Sequence, residues 1–206
     1  MAANRSRRAA GSRRRSKPSR RMRPFRQGRF DEFCSVYAII NALHLTVGDD
    51  PHYDGAWPEL YSLLINQLDC EANLASFVLN GVPAQTVGRL LDLAVCSLNG
   101  EFGLELSVER PIDRHERLSA REVLKRLATL SRRHHSAVLL WIKHDRHIRH
   151  WTVLAKANAR NFTLFDSAGG RSIPYAACRM SYEPARAGKD EAVIKPRRIY
   201  LIRRGN

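Results

Sequence analysis

The strongest constraint in this chain is a change of hydrophobic period part-way along it. Up to about Leu98 the apolar residues recur at helical spacing. In Cys34–Leu45 the residues Val36, Ile39, Ile40 and Leu43 fall on one face, with Tyr37 beside them. Glu59–Leu68, Glu71–Leu79 and Ala84–Leu98 repeat the pattern, with Pro58 suited to a first helical turn and Gly81-Val82-Pro83 as a break. Beyond Gly103 the text turns to short β-branched and aromatic runs. Leu104–Val108, Ala137–Lys143, Trp151–Lys156, Asn161–Phe165 and Arg198–Ile202 read as strands, joined around 143–150 and 156–161 by hairpin-sized links. One helix interrupts them, opened near residue 120 by the capping box Ser119-Ala-Arg-Glu122. Helices first and an antiparallel sheet later predict an α+β fold with a helical N-terminal half packed on that sheet.

Length and charge set the domain plan. With 206 residues, 44% of them hydrophobic, the chain can bury one core and is too short for two. Its formal charge of +15 is uneven. Residues 1–26 hold ten Arg, Lys17 and no acid, and the remaining 24 basic against 20 acidic residues leave about +4. Residues 1–26 are therefore expected to be a disordered Arg-rich tail, and 27–206 the folded domain. Such a tail suits an anionic partner, nucleic acid or a membrane surface, or is simply a solvated extension. No apolar run has the length of a membrane span, and no secretory pattern is seen. Four scattered cysteines without a C-x-x-C pair speak against a disulfide framework and for a cytoplasmic setting.

Four residues carry chemistry by their placement. Cys34 stands at the expected start of the first helix, with Asp31 upstream as a capping acid. A helix N-terminus carries partial positive charge that favours thiolate, and its free N–H groups suit a developing oxyanion. Gln27, on a loop seven residues earlier, can add a side-chain N–H to that hole. His150 opens a strand, and Asp166 ends the next one, so a hairpin turn near Ala157–Arg160 brings base and carboxylate side by side. A thiol nucleophile needs such a base, held by a third group.

The order Gln27, Cys34, His150, Asp166 resembles that of papain-like cysteine peptidases. The segment Gln27-Gly-Arg-Phe-Asp-Glu-Phe-Cys34-Ser-Val-Tyr-Ala-Ile-Ile-Asn-Ala-Leu43 is most similar to their compact bacterial branch, which includes peptidases of double-glycine leader peptides. The resemblance implies a papain-like fold, with Cys34 as nucleophile, His150 as base, Asp166 as orienting group and Gln27 at the oxyanion hole. Ser35 stands where many relatives have glycine. The substrate so implied is a peptide or protein, cleaved through a thioester with no cofactor.

Other readings of the same residues stay open. The same thioester serves acyl transfer of the transglutaminase type. A catalytically idle binding module with a basic tail is the third possibility. His144, His147 and His150 are three apart, and on an extended hairpin such spacing alternates faces, so no metal site is expected. Cys70, Cys96 and Cys178 lack any catalytic context and read as core or neutral positions. Asp166 before Ser-Ala-Gly-Gly also fits a plain turn, and Trp151 fits either a wall of the site or sheet core.

Overall fold

The computed structural model describes residues 22–28, 33–71, 74–113, 115–144, 148–170, 172–182, 188 and 191–205. Four helices come first: α1 (Cys34–Val47), α2 (Ala56–Glu71), α3 (Leu74–Asn80) and α4 (Ala84–Phe102). Then follow β1 (Leu106–Glu109), α5 (Ala120–Leu130), β2 (Ser136–His144), β3 (Ile148–Ala157) and β4 (Asn161–Phe165). The chain closes with β5 (Ser172–Pro174), β6 (Cys178–Met180) and β7 (Ala192–Arg204). The strands form one sheet in the order β1-β7-β2-β3-β4-β5, and β6 also pairs with β7. The fold is thus mixed α+β, as the change of period predicts. Pairing is antiparallel throughout except between β6 and β7, which run parallel.

The sheet is buried on both faces, which is why β2 reads as an unbroken apolar run rather than an alternation. Ala137, Leu139 and Trp141 pack with Trp151, Val153 and Ile202 under the N-terminal helices. Their neighbours Val138, Leu140 and Ile142 face the other way, against Val123, Leu127 and Leu130 of α5. The capping box that opens α5 is formed: Ser119 Oγ accepts the Glu122 N–H, and the Glu122 carboxylate accepts the Ser119 N–H at 2.8 Å.

Helix α1 is the central wedge. It packs on β2, β3 and β7 on one side and on α2 and α4 on the other. Val36, Ile39 and Leu43 are fully buried, each such side chain contributing about 1.5–3 kcal/mol of burial free energy. Asn41, also fully buried, looks out of place on this helix until its partner is seen. Its Oδ1 accepts the Phe25 N–H at 2.7 Å, and its Nδ2 donates to the Phe25 carbonyl at 3.1 Å. Both main-chain groups of Phe25 are thereby satisfied, and Met22–Gly28 lies as a strap on the helix.

That strap corrects the expected boundary of the tail at Arg26. Order starts at least as early as Met22, which packs against the core, because one buried amide supplies the hydrogen bonds that the basic composition does not. Residues 1–21 of the expected tail, and the capping acid Asp31, lie outside the described residues. Helix α1 opens at Phe33 with no side-chain cap. Strand β7 is also longer than the expected Arg198–Ile202 run. Pro196 has no N–H for a ladder bond, and the β2–β7 register accordingly slips between Leu140 and Ile142, with pairing resumed on either side.

Candidate active site

Cys34 is the first residue of α1, so its sulfur sits at the helix N-terminus as expected. The first helical bond runs from the Tyr37 N–H to the Phe33 carbonyl at 3.1 Å, so the N–H groups of Cys34, Ser35 and Val36 have no intrahelical acceptor. Cys34 retains 8% exposure.

His150 comes from β3, which crosses under α1. Its Nε2 lies 2.6 Å from Asp166 Oδ1, and Cys34 is near enough to the ring to raise its pKa. Because Nε2 is committed to the carboxylate, Nδ1 is the nitrogen left for the sulfur. The register explains the first contact. Val153 pairs with Phe165, so the next step places Asp166 alongside Thr152 and diagonal to His150. A diagonal neighbour is within reach of a histidine ring. The turn between the strands is set by Asn158, whose Oδ1 accepts the N–H groups of Arg160 and Asn161 at 2.8 and 2.7 Å.

Asp166 is both a turn residue and the partner of His150. Its main-chain carbonyl accepts the Gly169 N–H at 3.4 Å, while its Oδ2 accepts the Gly170 N–H at 2.8 Å. Gly169 has φ +92°, a left-handed conformation that side chains rarely adopt, and Gly170 backs onto the carboxylate itself. The Ser-Ala-Gly-Gly loop is therefore the cradle of the acid.

The charges follow from this geometry. Burial disfavours the His150 imidazolium, but the hydrogen bonds to Asp166 and Cys34 outweigh it, and the pKa is raised to about 9. Burial likewise opposes the Asp166 carboxylate, and the histidine, with help from Thr152 and the Gly170 N–H, holds it below the ordinary carboxylate range. The Thr152 hydroxyl acts on Asp166 by proximity, since it lies outside strict hydrogen-bond geometry to any partner among the described residues. The ion pair with Asp166 thus favours the protonated imidazole.

Gln27 enters by its backbone. Its N–H donates to the Ser167 carbonyl at 3.3 Å, one residue beyond Asp166, so the strap ends beside the cradle. Sequence reasoning missed Thr152, the Gly170 N–H and the Asn41 lock. The last had a legible signal, an amide in the middle of an apolar helix.

Trp151 is sheet core, 3% exposed. All four cysteines are free. Cys70 and Cys96 are exposed rather than core, because they fall on the outer faces of α2 and α4. Cys178 is half-buried, and burial pushes its thiol up to about 12. Among the described residues no cluster of three metal-ligating side chains occurs. His147 lies outside them. Also among the described residues, no helix is long and apolar enough to cross a membrane.

Comparison with family models, with curated proteins and with solved structures finds no match to this chain.

Proposed function

We propose that this chain is a thiol hydrolase that cleaves a peptide or isopeptide bond, built on a papain-like plan. The observation that carries the reading is the His150 ring, bonded through Nε2 to Asp166 at 2.6 Å, with Cys34 at a helix N-terminus near enough to raise the ring's pKa. Structural histidines are commonly satisfied by one partner. A ring placed between a thiol and a carboxylate is the arrangement that activates sulfur.

In this mechanism the Cys34 thiolate, paired with the His150 imidazolium, attacks the substrate carbonyl carbon. A C–S bond forms and the carbonyl electrons move to oxygen, where the free N–H groups of the first turn of α1 stabilise them. Gln27 joins that hole from the strap. As the tetrahedral intermediate collapses, the C–N bond breaks and His150 gives its proton to the departing amine, leaving a thioester. His150, now neutral, takes a proton from water, whose oxygen attacks the thioester and expels Cys34 as thiolate. Asp166 stays ionised throughout and fixes the ring so that Nδ1 faces the sulfur.

The test is labelling with iodoacetamide at neutral pH, followed by mapping of the modified cysteine. Rapid alkylation of Cys34 that slows strongly in His150→Gln is expected, together with loss of peptidase activity in Cys34→Ala. Full activity in the Cys34→Ala protein would remove the proposal.

A further inference from the structure

At the other end of α1 from Cys34 lies a hollow of about 430 Å³ that the mechanism does not use. Three aromatic rings form part of its wall. The His44 ring of α1 lies 5.2 Å from Phe25 of the strap and 5.1 Å from Trp57 of α2, centroid to centroid. Phe25 and Trp57 are 6.3 Å apart. Asp49 and Asp54, from the link between α1 and α2, also line it.

The electrostatics of this place favour a cation. Helix α1 ends at Val47, so the negative end of its dipole falls beside the hollow. Among the described residues Asp49 has one ion-pair partner, His44 Nε2 at 3.8 Å, and Asp54 has none. His44 is a poor cation, because burial lowers its pKa against the pull of both carboxylates. Aromatic faces attract positive charge as well, and Phe25 is 36% exposed. The opposing charge on the wall is Arg23, which is exposed and forms no ion pair with either acid.

His44 adds an independent sign. It is only 7% exposed, yet its Nδ1 has no hydrogen-bond partner among the described residues. Buried polar atoms are nearly always paired, so an orphan calls for an explanation. An acid facing Nε2 favours the tautomer protonated there, which leaves Nδ1 as an acceptor. Two carboxylates, an acceptor nitrogen, a helix C-terminus and aromatic faces all suit a positively charged N–H donor. Among the described residues no three metal-ligating side chains converge, which favours an organic cation over a metal ion.

We propose that this hollow binds an alkylammonium group, carried by a free amine or by a lysine side chain of a partner. The proposal goes beyond the hydrolase reading and does not rest on it, since neither Cys34 nor His150 takes part.

The test is an NMR titration of the full chain at constant ionic strength. The probes are 1,5-diaminopentane, 1-pentanol, and a peptide with a single lysine in its free and acetylated forms. The Trp57 indole N–H, assigned with Trp57→Phe, is expected to shift saturably with an amine, while those of Trp141 and Trp151 stay in place. Pentanol and the acetylated peptide are expected to do nothing. Asp49→Asn combined with Asp54→Asn should weaken amine binding about tenfold, as two partly screened ion pairs are lost. Arg23→Gln removes a like charge and should tighten it about threefold, a gain that a merely misfolded variant would not give. Saturation by the diamine alone identifies the source as a free amine, and saturation by the free-lysine peptide alone identifies it as a partner's side chain. No saturable shift with either amine overturns the site. So does an equal response to pentanol, or unchanged amine affinity in the aspartate pair variant.

Discussion

Replacing Asp166 with asparagine changes one charge and little else in shape, and the consequence for His150 can be worked out. The displacement of its pKa from 6.5 to about 9 corresponds to on the order of 3 kcal/mol of preference for the imidazolium, gained against the opposing effect of burial. After burial, the hydrogen bond to Asp166 is the foremost influence and the one to Cys34 the next. An amide keeps one oxygen, which cannot serve both His150 Nε2 and the Gly170 N–H as the two carboxylate oxygens do. Asp166→Asn should therefore lower the His150 midpoint by about one to two pH units, the range expected when an opposite charge is withdrawn from contact. The midpoint is read by NMR titration of the ring C–H resonances from pH 5 to 10.5, assigned with His150→Gln. A variant whose ring titrates where the native protein's does would refute the reasoning, since the carboxylate would then contribute nothing to the charge on the imidazole.

The same ion pair makes folding stability depend on pH. A histidine whose pKa is raised on folding contributes fully below about 6.5 and loses that contribution as pH climbs through about 9, so the urea midpoint should fall between pH 7 and 10, and fall less in Asp166→Asn. Asp166 acts in the opposite direction: its stabilisation is present above the ordinary carboxylate range and disappears as acid takes pH through its depressed value. Asn41→Ala breaks both bonds to Phe25 and should cost about 2 kcal/mol by urea denaturation, with faster tryptic cleavage after Arg26 as the sign that the strap has lifted. Gly169→Ala forces a side chain into left-handed backbone and against the Arg26 guanidinium. It should cost roughly 1–3 kcal/mol in a thermal melt, and an unchanged melting temperature would show that the cradle has slack. Among the thiols, Cys178 should be the slowest to react with Ellman's reagent at pH 7.5, since burial holds its pKa at about 12.

The outline of the fold was legible because its two halves speak in different periods. Helix α1 follows from Val36, Ile39, Ile40 and Leu43, α5 from its capping box, and the β3–β4 hairpin from two β-rich runs around an Asn-containing turn. The meeting of His150 with Asp166 could be anticipated from their places on adjoining strands. The diagonal, rather than opposed, register could not, because it depends on where the pairing slips between Leu154 and Lys156. Three-residue strands such as β5 and β6 carry too little text to show a period. The first part of β7 was hidden by Lys195-Pro196-Arg197, which reads as a break and is in fact an irregularity that the neighbouring strand tolerates. Met22–Gly28 escaped notice for a related reason. Its basic composition is that of a solvated segment, and what holds it down is an amide sixteen residues further on.

The strap also lines a hollow of its own at the far end of α1. Met22, Arg23 and Phe25 line a hollow with His44 and Trp57, near the C-terminal end of α1. Ten residues of helix separate His44 from Cys34, a span of about 15 Å at the α-helical rise. Met22 therefore sits toward the end of α1 that lies away from the thiol, and the hollow it lines is separate from the contact between His150 and Asp166.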